Sequence, residues 1–407
     1  MQTTWEHRYA QRALRMKSSV IREILKLAET PDVISFAGGM PAPEIFPFQR
    51  VEEACDYVIK TYGQRALQYG PTEGYVPLRK LIAEYGLDFG IDVDINNILI
   101  TSGSQQALDL IGKMFINPGD SILVESPTYL GALQAWDAYE AKYITIPSDE
   151  NGMMTDYLEE ALRKGPKFIY ALPNFQNPTG VSISLERRRI IVELADKYGV
   201  PIIEDDPYGA LRFEGDHLPS LLAVDAEYRN MPKENYKGNV LYLSTFSKIM
   251  APGLRLAWVV GPVEVINKMV QAKQGSDLQT STFTQFVAYE VGKENFLQNH
   301  IKHIQKVYHE RRDVMLDSLE EHMPKGVQWT HPGGGLFLWI TLPEHEDSVE
   351  VFKLAVEQKV AFVPGESFHP NGGGKNTMRL NFSNAGPARI NEGISRLGAT
   401  LHARMKK

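Results

Sequence analysis

Val240-Leu241-Tyr242-Leu243-Ser244-Thr245-Phe246-Ser247-Lys248 is the stretch on which the reading of this chain turns, with Arg255 a little further on. The apolar run at its start predicts a buried strand over 240–244. A charged lysine at the end of such a strand is costly unless something offsets its burial. The hydroxyls and the arginine crowded beside Lys248 point to an anionic ligand. Desolvation and nearby positive charge also lower an amine's pKa, which suits an amine that must attack a carbonyl. The arrangement fits a Schiff-base lysine next to a phosphate, the way pyridoxal 5′-phosphate is held. An ordinary surface Ser-Lys pair is the plain alternative.

Working outward, short β-rich runs alternate with helical patterns. Strands are predicted over 98–101, 121–125, 143–147, 168–172, 201–205, 240–244 and 256–260, with helices over 105–116, 129–138, 155–164 and 185–198. Such alternation implies an α/β fold with a mostly parallel sheet covered on both faces. After about residue 296 the pattern changes. A long helix is predicted over 296–322, then strands over 327–330 and 336–341, a helix near 348–358, strands over 360–363 and 378–382, and a last helix from Pro387. The reading is therefore a large domain over 49–295, a smaller α+β domain over 296–407, and an N-terminal segment, 1–48, that packs with the smaller domain. That segment carries a predicted helix, 19–29.

Other strand ends carry groups suited to the same ligand. Thr101-Ser102-Gly103-Ser104-Gln105-Gln106 follows a strand and opens a helix, where free N–H groups and a glycine favour a phosphate; a plain strand-to-helix turn reads the same way. Asn174–Gly180 contains Asn-Pro, a turn signal, and Asn177 has an amide able to donate to a phenolate oxygen. Glu204-Asp205-Asp206-Pro207-Tyr208 ends a strand with carboxylates, which need a cation if buried and are a solvated loop if not. A protonated pyridine nitrogen is such a cation. Tyr129 is placed to stack on a flat ring or to pack half-buried. Arg379 interrupts an apolar strand pattern and is suited to a bidentate hold on a carboxylate, or to a strand surface. Ligands in open α/β sheets bind beyond the carboxyl ends of the strands. Each bland reading stands alone well enough; together they are hard to sustain.

Composition narrows the classes. The chain has 407 residues, 43% of them hydrophobic, and a net charge of −7, which disfavours general nucleic-acid binding. A single cysteine, Cys55, excludes an intrachain disulfide and suits a reducing compartment. The polar, charged N-terminus is unlike a signal peptide, and no apolar run approaches the roughly 18 residues that span a bilayer. A cytoplasmic protein without a membrane partner is expected, and no metal site is read from the sequence.

On these residues the chain resembles the pyridoxal-phosphate aminotransferases of class I/II, the aspartate aminotransferase-like fold type I. It is most similar to the subgroup of 2-aminoadipate and kynurenine aminotransferases. The motifs are Ile34-Ser35-Phe36-Ala37-Gly38-Gly39-Met40-Pro41, Leu67-Gln68-Tyr69-Gly70, Gly103-Ser104-Gln105-Gln106, Asn177-Pro178-Thr179-Gly180, Asp205-Asp206-Pro207-Tyr208, the Lys248 segment and Met378-Arg379. The resemblance implies that Lys248 is the catalytic lysine and that Asp205, more than Asp206, meets the pyridine nitrogen. It implies Asn177 and Tyr208 at the phenolate oxygen, and Tyr129 on the ring. Ser104, Gln105, Thr245, Ser247 and Arg255 would hold the phosphate; Thr245 stands where members often carry serine. Tyr69 would reach the neighbouring subunit's phosphate in a homodimer. Arg379, with Gly39 and Asn177 assisting, would fix the substrate α-carboxylate. Arg22 matches a position where relatives bind a distal carboxylate, or is a helix-surface arginine. The implied reaction is ping-pong transfer of an amino group between an L-amino acid and a 2-oxo acid, with 2-oxoglutarate as the expected acceptor. A β-lyase on the same scaffold is the competing enzyme reading. A regulator with an aminotransferase-like domain is the non-enzymatic one; similarity from Ser18 onward is expected to leave it no DNA-binding domain.

Overall fold

The computed structural model describes residues 4–16, 32–87, 90–231 and 236–405. Its centre is an eight-stranded sheet in the order Ile98–Thr101, Ala257–Val260, Val240–Thr245, Ile202–Asp205, Ile169–Ala171, Ser121–Ser126, Lys142–Asp149, Gly152–Met153. The five strands from Val240–Thr245 to Lys142–Asp149 pair in parallel. Ala257–Val260 runs against both its neighbours, and Gly152–Met153 folds back on the far edge. Helices on both faces explain the near-continuous apolar strands. Because strand side chains alternate, Val240 and Tyr242 enter one core while Leu241 and Leu243 enter the other. The predicted strands are all present, with ends moved by a residue or two.

Local chemistry sets the boundaries. Helix Leu185–Tyr198 starts where the Ser184 hydroxyl accepts the Arg187 N–H and stops at Gly199, whose φ of 63° suits glycine. Glu204, within the strand Ile202–Asp205, serves as a cap for another element: its carboxylate accepts the N–H groups of Leu221 and Leu222 at 2.8 and 2.9 Å, at the start of helix Leu221–Tyr228.

A second, four-stranded antiparallel sheet has the order Gln328–Trp329, Phe337–Thr341, Thr377–Asn381, Val363–Pro364. The long helix Phe296–His322 and the last helix Pro387–Met405 pack beside each other. The expected strand 360–363 is two pieces: Val360–Ala361 pairs in parallel with Ile34–Ser35, and Val363–Pro364 joins the antiparallel sheet. The expected helix 155–164 divides into a 3-10 turn, Thr155–Tyr157, and a helix, Leu158–Arg163. The sequence reading gave no helix to Phe48–Ala66 or Thr282–Gly292. The first carries an apolar stripe at helical spacing, Val51, Ala54, Cys55, Val58 and Tyr62, which that reading passed over; the second is buried on nearly every side. The expected helix 19–29, with Arg22, lies outside the described residues. Among the described residues no helix is long and apolar enough to cross a membrane.

Candidate active site

Parallel pairing brings the ends of Ile169–Ala171, Ile202–Asp205 and Val240–Thr245 to one edge, where a cavity of about 480 Å³ opens. Leu172, Asn177, Asp205, Tyr208, Thr245 and Lys248 line it from these strands and the loops after them. Ser104, Gln105 and Tyr129 reach it from the turns after Ile98–Thr101 and Ser121–Ser126. Arg379 comes from the antiparallel sheet and Gly39 from the N-terminal segment. Lys248 Nζ donates to the Gly39 carbonyl at 2.7 Å. Burial, then the positive charges of Arg379 and Arg255, push its amine down to about 8.

The adjacent acids separate by what they face. Asp205 is 2% exposed and lines the cavity. Its Oδ2 accepts the Tyr170 hydroxyl at 2.7 Å, and its buried Oδ1 has no protein partner. Burial pushes its carboxyl up to about 7, against the pull of the Tyr170 bond. Asp206 instead holds its own turn: Oδ1 accepts the Gly209 N–H at 2.8 Å and Oδ2 the Tyr242 hydroxyl at 3.3 Å. Of the two candidates for a cationic partner, Asp205 is the one at the cavity.

At another part of the wall, Gly103 has a φ of 86°, and a Cβ there would lie 2.5 Å from Arg255 Nη2. Glycine is what lets the arginine close on the N-terminus of helix Ser104–Phe115. Ser104 Oγ is buried with no protein partner. Thr245 Oγ1 lies 3.0 Å from both Ser247 Oγ and the Leu256 carbonyl, so the threonine hydroxyl is accommodated. The Gln105 side chain donates to the Gly131 carbonyl at 2.8 Å.

Arg379 is 1% exposed, with its guanidinium carbon 4.3 Å from the Phe337 ring centroid and 5.2 Å from that of Phe368. It donates to Asn177 Oδ1 at 2.7 Å and to the Ala37 carbonyl at 2.6 Å, leaving Nε unpartnered. Burial pushes its pKa down to about 10, and Tyr208 and Tyr129 oppose that. Burial likewise pushes the Tyr129 phenol up to about 12 and raises that of Tyr208.

The donor set fits pyridoxal 5′-phosphate: a poised amine for the aldehyde, an orphaned carboxylate oxygen for the ring nitrogen, and a glycine turn with Ser104 and Arg255 for the phosphate. Two expected residues are not brought together with the rest. Tyr69 is 78% exposed and does not line the cavity; Arg22 lies outside the described residues. The sequence reading gave no role to Met40, Leu172, Pro207 or Pro252, which also line the cavity, nor to Tyr170 and Phe337 behind it. Leu172 and Tyr170 sit two apart on one strand face, and that spacing was the available signal.

The sequence matches the profile of the family Aminotransferase class I and II over residues 32–397. It is 47% identical to aromatic-amino-acid aminotransferase 1 of Thermococcus litoralis over 99% of this chain and 96% of that one. The fold superposes with a TM-score of 0.92 on LysN, the α-aminoadipate aminotransferase of Thermus thermophilus complexed with N-(5′-phosphopyridoxyl)-L-leucine; identity is 41%, covering 99% and 100% of the two chains. The kynurenine aminotransferase of Pyrococcus horikoshii, in complex with PMP and with kynurenine as substrate, gives a TM-score of 0.93 at 46% identity over 99% of each chain. The chain belongs to the class I and II aminotransferases. It is an α/β enzyme of fold type I, and its cofactor is pyridoxal 5′-phosphate.

Proposed function

We propose that the protein transfers amino groups between an L-amino acid, of the 2-aminoadipate, aromatic, branched-chain or glutamate type, and 2-oxoglutarate, in a ping-pong sequence. The carrying observation is that Lys248, Asp205, Arg379 and the Gly103–Ser104 turn with Arg255 border one cavity. When bound, the cofactor supplies an aldehyde that exchanges amino groups and a ring that accepts electrons from the substrate's breaking Cα–H bond. In this reading Asp205 Oδ1 holds the ring nitrogen in its protonated form. Ser104, Gln105, Thr245, Ser247 and Arg255 hold the phosphate, Asn177 and Tyr208 the phenolate oxygen, and Tyr129 covers the ring. Arg379 and Asn177, with Gly39, fix the substrate carboxylate, which orients the Cα–H bond. Lys248, as an uncharged amine, would remove that proton, a task suited to a group poised near 8.

The division into 1–48, 49–295 and 296–407 is part of the proposal; the parallel pairing of Ile34–Ser35 with Val360–Ala361 supports the place given to the first segment. So is a homodimer in which Tyr69 serves the partner's site, supported by the exposure of Tyr69 and the nearby Leu67. Sedimentation is expected to give a dimer at assay concentration; a fully active monomer would contradict it.

Specificity is tested by following glutamate formation from 2-oxoglutarate across an amino-acid panel. Arg22→Ala is expected to weaken the half-reactions of 2-aminoadipate and 2-oxoglutarate by about 1–3 kcal/mol, the scale of one charge-assisted contact, with the half-reactions of leucine and phenylalanine, measured in single turnover, little changed. Equal losses for both classes would remove Arg22 as a distal-carboxylate group. Pyruvate and ammonia from cystathionine, in place of glutamate, would mean a lyase.

A further inference from the structure

Tyr170 stands outside every role assigned above, yet its hydroxyl has one acceptor, and that acceptor is at the cavity. It occupies the middle of strand Ile169–Ala171, fully buried, with its ring edge-on to Trp136 at 4.9 Å between centroids. In the parallel register it pairs with Ile203 of the next strand, and Asp205 lies two residues further along the same face. The hydroxyl therefore crosses between neighbouring strands to Asp205 Oδ2 at 2.7 Å. Oδ1 is left without a protein partner. The carboxylate is thus divided between a fixed protein donor and the cavity.

From this geometry we infer that Tyr170 is a positioning residue for the reaction: it fixes the Asp205 carboxylate and keeps it ionised, so that Asp205 holds the cofactor's ring nitrogen protonated. The inference rests on the proposed pairing of Asp205 with that nitrogen. Burial alone favours an uncharged carboxyl, and a hydrogen bond donated to the charged form opposes it. The Tyr170 phenol is itself raised well above its ordinary value, first by burial and then by Asp205, so it remains a donor throughout the working range. Without the hydroxyl, the proton shared by Asp205 and the ring nitrogen shifts toward the carboxylate. A neutral ring is a weaker acceptor of electrons, so proton removal from substrate slows.

Nitrogen NMR of the protein loaded with isotope-labelled pyridoxal phosphate reads the ring proton directly. In the unaltered protein near neutral pH the ring nitrogen is expected at the position of a protonated pyridine. Tyr170→Phe should move it toward the neutral position and lower kcat by about 10- to 100-fold, the scale of one hydrogen bond to a charged group, with KM changing far less. Tyr236→Phe is the control, because Tyr236 is also buried and donates to an aspartate, Asp225 at 2.7 Å, outside the cavity; it should cost stability and leave the nitrogen signal in place. Asp205→Asn should give the neutral ring outright. If Asp205→Asn shifts the signal and Tyr170→Phe does not, Tyr170 has no positioning role while the reading of Asp205 stands. If Asp205→Asn leaves the ring protonated, the pairing of Asp205 with the nitrogen fails, and the inference fails with it.

Discussion

Lys248→Ala is expected to lower turnover by about 10⁴-fold, the upper end of what one positioned proton-transfer group contributes. The residue has two tasks in the proposed reaction: capturing the cofactor's aldehyde and moving the substrate's α-proton. Alanine performs neither. Pyridoxamine phosphate, which needs no such capture, should still bind the variant through the phosphate and ring contacts, showing that the cavity is intact. The amine also sets a pH signature. Its value of about 8 lies well below that of an ordinary lysine, through burial first and then Arg379 and Arg255. Capture of pyridoxal phosphate by the cofactor-free protein should therefore speed up with pH to about 8 and then level off. The sign for stability follows. Below about 8 both folded and unfolded chains hold the proton, and the full cost of burying the charge is present. Between there and the ordinary lysine range the unfolded chain binds more protons than the folded one, so this group's contribution to stability rises with pH. A variant within tenfold of the unaltered protein, measured by absorbance of the loaded cofactor and by product, would remove Lys248 from the mechanism.

Arg379→Ala is expected to cost about 3–5 kcal/mol, roughly 10²- to 10⁴-fold in kcat/KM, because it removes one partner of a desolvated charge pair. The loss should fall on amino acids and not on amines that lack an α-carboxylate. Arg379→Lys should recover only part of it, since a point charge reproduces neither the bidentate fork nor the planar contact with Phe337 and Phe368. Arginine also donates to Asn177 and to the Ala37 carbonyl, so thermal unfolding must be measured beside the kinetics. An equal fall for phenylalanine and for phenylethylamine would show that the guanidinium supports the fold and does not hold the carboxylate.

Much of the site was legible because chemistry sits at strand ends. The apolar run 240–243 marked a buried strand, and the lysine beyond it had to be explained. Gly103 and Asn177 stood at turns that a strand-and-helix reading locates. The resemblance favoured Asp205 over Asp206, but the residues alone gave no physical ground for it: both are buried, and hydrogen bonding separates the acid that caps Gly209 from the one left open at the cavity. Tyr170 and Phe337 escaped the sequence reading because each looks like core, and packing is indeed most of what they do. Their second contact, to Asp205 in one case and Arg379 in the other, depends on register across strands distant in sequence. Helix Phe48–Ala66, by contrast, was legible and was passed over: Val51, Ala54, Cys55, Val58 and Tyr62 recur at helical spacing.

The most direct test of amino-group exchange at this cavity is a single-turnover absorbance experiment on the protein loaded with pyridoxal phosphate. Mixing with 2-aminoadipate, glutamate, phenylalanine or leucine should convert the aldehyde-form spectrum to that of the amine form, and 2-oxoglutarate should restore it. Cofactor held at Lys248 but unchanged by every amino acid in the panel would leave the fold standing and contradict the proposed reaction.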